Sequence, residues 1–86
     1  MFMVKEYILN INGIDFLFEE HIEPWRDIFV SKVGSGLKFS IEEIKNGQIG
    51  NDLTMSYALK LNYEFGKHKD DYLAAVAKFE KLAAFR

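Results

Sequence analysis

Glu19-Glu20-His21-x-Glu23 is the one place in this chain where a histidine sits among several carboxylates. Such a set could hold a metal or exchange protons if its side chains converged. Adjacent residues on an extended connection point to opposite sides, and no second histidine lies nearby, so the set reads as a solvated acidic turn. Lys67-His68-Lys69-Asp70-Asp71 could offer an anion the free N–H groups of a helix start, but its aspartates satisfy those donors themselves. Gly34-Ser35-Gly36 has neither the third glycine of a dinucleotide loop nor the Gly-Lys-Ser/Thr of a P-loop. No G-x-S-x-G elbow is present, and His21 and His68 lack an orienting motif. The expectation is a chain with no catalytic residue, no metal site and no cofactor.

Two binding surfaces remain. Trp25 beside Arg26 resembles an interface anchor, and with Glu19, Glu20, His21 and Glu23 it forms the candidate protein-binding surface. Its more conservative role is packing against the aromatic side of the sheet. Lys38, Lys45, Lys60, Lys67 and Lys69, joined by Lys32, would form a nucleic-acid surface if the fold gathered them. Two basic groups oppose six acidic ones in residues 1–31, whereas six lysines oppose four acidic groups in 32–69. That asymmetry gives no clearly basic domain, so nucleic acid ranks second. In the reverse variant, the acidic front imitates phosphates.

The elements that must carry these residues follow from pattern. Val4–Ile11 and Ile14–Phe18 flank Asn12-Gly13, the pair favoured in a two-residue type I′ turn. That turn sets Ile11 against Ile14, Leu9 against Phe16 and Tyr7 against Phe18 on one side. It sets Asn10 against Asp15, Ile8 against Leu17 and Glu6 against Glu19 on the other. Pro24 then opens a stretch whose Trp25, Ile28, Phe29, Lys32 and Val33 suit a helix ended by Gly34, with a strand over 28–33 as the alternative. Leu37 and Phe39 form a short strand. Ser40 and Glu43 make a capping box for a short helix through Asn46, with a hairpin at Asn46-Gly47 as its rival. Residues 53–65 alternate strictly, with Met55, Tyr57, Leu59, Leu61, Tyr63 and Phe65 at every odd position, which predicts a long central strand. Lys69 or Asp70 opens a last helix whose buried stripe is Leu73, Val76 and Phe79, with Tyr72 and Leu82-Ala83.

The predicted fold is α+β: one 86-residue domain with a small antiparallel sheet, in the order β-β-α-β-(short α)-β-α. It has an N-terminal hairpin and a C-terminal helix packed on one face. The absence of cysteine excludes disulfides, thiolate metal sites and cysteine nucleophiles, and it suits a reducing compartment. No segment has the length of a membrane helix and the N-terminus lacks the apolar core of a signal peptide, so the expectation is a soluble, cytoplasmic protein. Eight Phe, four Tyr and one Trp exceed what so small an interior holds easily, so some rings should face solvent or another chain. The leading expectation is therefore a non-enzymatic regulator or inhibitor that binds another protein or its own copy, a character common among small phage- and mobile-element-encoded proteins. A small-molecule site in a dimer cleft ranks last, because a monomer of this size rarely forms a large pocket.

Overall fold

The computed structural model describes residues 4–22, 26–50 and 55–83. Four antiparallel strands, β1 (Val4–Ile11), β2 (Ile14–His21), β3 (Asp27–Lys32) and β4 (Phe39–Ser40), form one sheet in the order β1-β2-β3-β4. The helices α1 (Ile41–Asn46), α2 (Met55–Lys67) and α3 (Lys69–Ala83) follow. The fold is α+β, with the hairpin first and the last helix packed on one face of the sheet. No described helix is long and apolar enough to cross a membrane.

The hairpin has the predicted register throughout, from Ile11 opposite Ile14 to Glu6 opposite Glu19. Asn12 at φ 52° and Gly13 at φ 86° supply the two positive dihedrals of a type I′ turn. The short helix also forms as read. Ser40 caps it with Glu43 reaching back, and Gly47 ends it in the left-handed conformation. Glu43 does more than cap, because its Oε2 accepts the Gly50 N–H at 2.7 Å and so ties the following loop to the helix start.

Two elements exchange identity relative to the sequence expectation. Residues 27–32 are a strand, not a helix. Ile28 and Val30 are β-branched, alternate with Phe29 and Ser31, and pair with Glu20 and Phe18 across β2. A preformed hairpin edge offering backbone partners outweighs the helical spacing of the same residues. Residues 55–67 are a helix, not a strand. The segment contains no Val, Ile or Thr and is built largely of good helix formers. Only Leu61 and Phe65 of the alternating set are deeply buried, and they join Glu64 on a helical i, i+3, i+4 face. Met55, Leu59 and Tyr63, at 79%, 65% and 70% exposure, form a second stripe on the solvent side. The period-two pattern was two helical stripes seen end to end.

The core lies between the sheet and the helices. Phe18 stacks on Phe79 at 4.4 Å between ring centroids, while Tyr72 makes edge contacts with Phe16 and Phe39 at 5.0 Å each. In α3 the buried residues are Tyr72, Ala75, Val76 and Phe79, whereas Leu73 and Leu82 of the expected stripe stay exposed. The α2 helix is seated on the loop before it by Asn62 Nδ2, which donates to Ile49 O at 3.1 Å. Gly50, at φ +74°, lies so close to α2 that a Cβ would stand 2.9 Å from the Ala58 Cβ. Gly50→Ala should therefore destabilise the fold by about 1–3 kcal/mol. Gly66→Ala, in open space on the same helix, should stabilise it by about 0.5–1 kcal/mol. Guanidinium midpoints of the two variants read both signs.

Candidate functional site

One side-chain set is assembled from parts of the chain far apart in sequence. Lys32 lies on the helix-covered face beside Phe16, its ladder partner. Its Nζ lies 3.1 Å from Glu64 Oε1 on α2 and 3.3 Å from His68 Nε2 at the α2–α3 junction. Glu64 is only 8% exposed, and the Tyr72 hydroxyl donates to its Oε1 at 3.3 Å. His68 Nδ1 stands 3.7 Å from Asp71 Oδ2, and Asn12 Nδ2 donates to Asp71 Oδ1 at 3.2 Å. An ammonium that donates to Nε2 needs the lone pair there, which leaves the ring proton on Nδ1 facing Asp71. Burial, followed by the Glu64 charge, pushes the Tyr72 phenol above its ordinary range.

Among the described residues, every buried side-chain nitrogen and oxygen has a hydrogen-bond partner. The Lys32 set points its groups at one another, and it links the hairpin turn, β3 and both long helices. It acts as a clamp. Sequence reasoning found its lysine and histidine but gave them other roles, because residues 12, 32, 64, 68, 71 and 72 meet only in the folded chain.

The candidate residues of the acidic turn are split between the two faces of the sheet. Glu20 is buried on the helix-covered face and accepts from Arg26 Nε at 2.6 Å. Glu19 and His21 lie on the opposite face, where Lys38 Nζ is 3.0 Å and His21 Nε2 3.6 Å from Glu19 Oε2. Lys38 thus offsets the repulsion between Glu19 and Glu6, which the register sets directly opposite. His21 also makes an edge contact with Phe29 at 5.2 Å. Glu23 and Trp25 lie outside the described residues, so the expected anchor is not among the groups placed here.

Three of the candidate lysines are held in ion pairs. Lys32 belongs to the clamp, Lys38 to Glu19 and Lys45 to Glu80 at 2.9 Å, a bond that raises the Lys45 pKa. Lys67 lies over the Tyr63 ring at 5.1 Å, Lys60 is exposed two turns earlier on the same helix, and Lys69 is exposed at the start of α3. A cavity of about 540 Å³ opens where β3 begins, between the ends of α1 and α3. Its charged lining is Arg26, Asp27, Glu42 and Glu80, with Arg26 turned to Glu20. Among the described residues, no group of three His, Asp or Glu could hold a metal ion.

Besides the Met55–Leu59–Tyr63 stripe of α2, the outer face of the sheet at β1 also leaves apolar side chains in solvent. Ile8 is 63% exposed and stands opposite Leu17, with Val4, Phe29 and Val33 on the same side. β1 is also a terminal strand. In a two-residue hairpin the pair flanking the turn exchanges backbone hydrogen bonds, so Ile11, Leu9, Tyr7 and Lys5 direct theirs to β2. Val4, Glu6, Ile8 and Asn10 therefore direct their N–H and C=O groups outward. The same alternation on β2 is visible where the Asp15 carbonyl faces β3 and accepts from Val33 N at 2.9 Å. Among the described residues no strand pairs with this outer edge. β1 carries eight residues in unbroken register, without proline or bulge.

The clamp generates two expectations about stability. Lys32→Met should cost about 1–3 kcal/mol by leaving Glu64 without its counter-charge, and a further Glu64→Gln change should recover part of that loss. A double-mutant cycle read by chemical denaturation checks the sign of the coupling. Tyr72 gives the second. Because folding raises its pKa above the ordinary phenol value of 10.0, its contribution is fully present below pH 10 and is lost as pH rises beyond it. There the unfolded chain releases a proton that the native chain keeps, so stability falls by about 1.4 kcal/mol per pH unit from this group. Tyr72→Phe should flatten the slope between pH 10 and 11 by about that amount.

No protein-family model matches the chain, and no curated protein or solved structure matches it.

Proposed function

We propose that this chain is a non-enzymatic protein-binding module, a small regulator or inhibitor, which engages its partner through the β1 edge and the apolar row beside it. The observation that carries this reading is the eight-residue terminal strand whose outward backbone groups adjoin an exposed Ile8. Strand addition to such an edge draws affinity from main-chain hydrogen bonds and specificity from alternate side chains. Monomeric proteins usually blunt long edges with proline, bulges or inward-pointing charge, and β1 has no proline or bulge. The working groups of the clamp are engaged with each other, whereas the β1 edge sets outward backbone groups beside an exposed apolar side chain. A cysteine-free chain has no need of an oxidising compartment, in keeping with action in the cytoplasm.

Ile8→Pro tests the reading, because the Ile8 N–H points away from β2 and its loss removes no bond of the internal ladder. Partners captured by the wild-type chain should bind the variant at least about tenfold more weakly, equivalent to about 1.4 kcal/mol. The variant should still unfold cooperatively with the circular-dichroism spectrum of the wild-type fold, so that lost binding is not lost folding. Unchanged partner binding by both Ile8→Pro and Ile8→Lys, with the fold intact, would sink the proposal.

A further inference from the structure

We infer that the β1 edge pairs with the β1 edge of a second copy, antiparallel about a twofold axis through Ile8, to make one continuous eight-stranded sheet. This rests on the reading of β1 as the binding edge and adds the identity of its occupant. A twofold axis perpendicular to the sheet keeps each side chain on its own face. Residues directly opposed in an antiparallel pair share a face, so the axis must pass through a residue and not between two. Four centres are then open near the middle of the strand.

A centre at Glu6 opposes Glu6 to itself, which is repulsive. One at Tyr7 opposes Glu6 to the exposed Ile8 of the other copy, twice. A centre at Leu9 brings Glu6 to the turn residue Asn12 and shortens the ladder. The centre at Ile8 opposes Ile8 to Ile8, Glu6 to Asn10 and Tyr7 to Leu9. The outward-facing Glu6, Ile8 and Asn10 of each copy then form the hydrogen-bonded positions of the new ladder. The apolar row Leu17–Ile8 meets the same row of the second copy, covering the most exposed apolar side chain of the strand. Asn10 Nδ2 is bonded to Asp15 Oδ1, and its second amide hydrogen remains to donate to Glu6 of the other copy. Self-complementarity of this kind is what selects a second copy over an unrelated strand.

The chain has no cysteine, so single cysteines report the register directly. Opposed hydrogen-bonded residues stand about 5.5 Å apart at Cα, within disulfide reach. Under mild oxidation Ile8→Cys should become a covalent dimer, and Tyr7→Cys should not cross-link to the same extent. Glu6→Cys and Asn10→Cys should each stay single alone and cross-link when mixed. Light scattering of the wild-type chain should give twice 10.0 kDa, and Ile8→Pro should return it to one chain. A wild-type chain that remains monomeric at high concentration, or a dimer that survives Ile8→Pro, overturns the pairing. If that monomer still loses another protein on Ile8→Pro, the self-pairing fails alone and the edge-binding reading stands. If Ile8→Pro changes neither mass nor binding, both fail.

Discussion

With Asn12 and Gly13 both at positive φ, Ile11 must face Ile14, and the side taken by every later strand residue follows from that pairing. A slip of one residue would turn Phe16 and Phe18 out to water and bring Asp15, Leu17 and Glu19 under the helices. The same parity places Val30 and Phe39 with the buried rings and Phe29 with the exposed face. It also decides which backbone groups of β1 point to β2 and which point away. Core, clamp and edge are thus three consequences of one turn.

The core that this parity creates is aromatic, and its shape sets where polar groups can be tolerated. Phe16, Phe18, Phe39, Phe65, Tyr72 and Phe79 are all buried between sheet and helices. Tyr72 sits at their centre with its hydroxyl emerging beside Glu64, so a ring that fills the core also terminates the Lys32–Glu64 pair. A carboxylate as buried as Glu64 is tolerated because it has both an ammonium and a phenol within reach. Asn12 extends the set to the hairpin turn through Asp71, so the turn that fixes the parity is fastened to the helix that covers the result.

The parts legible in the sequence are those fixed by neighbours along the chain. The Asn12-Gly13 turn, the Ser40–Glu43 box and the last helix each depend on a few consecutive residues, and each forms where the residue chemistry puts it. The expectation failed where two periods fitted the same residues. In 55–67 the odd-numbered apolar positions satisfy an alternating strand, yet the absence of β-branched residues was the better guide to helix. In 27–32 helical spacing competed with Ile28 and Val30, and the waiting edge of β2 decided the outcome. Of the candidate surface, the Ile8–Leu17 row was readable as soon as the hairpin register was known. The clamp was not, because no local pattern brings Lys32 to Glu64 or Asn12 to Asp71.

The same separation bears on how the β1 edge can serve association without undermining the fold. Its outward residues, Val4, Glu6, Ile8 and Asn10, contribute little to the packed interior, since the inward set of Tyr7, Leu9 and Ile11 makes the contacts with the core. Tyr7 meets Phe79 edge-on at 5.6 Å and so holds the strand to α3 while its neighbours remain outside. Alternation along one strand therefore divides its duties between stability and contact. A strand firmly held on one side and, among the described residues, unpaired on the other arrives at a partner already ordered, so most of the conformational entropy cost of adding a strand has been met by folding. The hairpin supplies that rigidity itself, through a turn that needs only two residues.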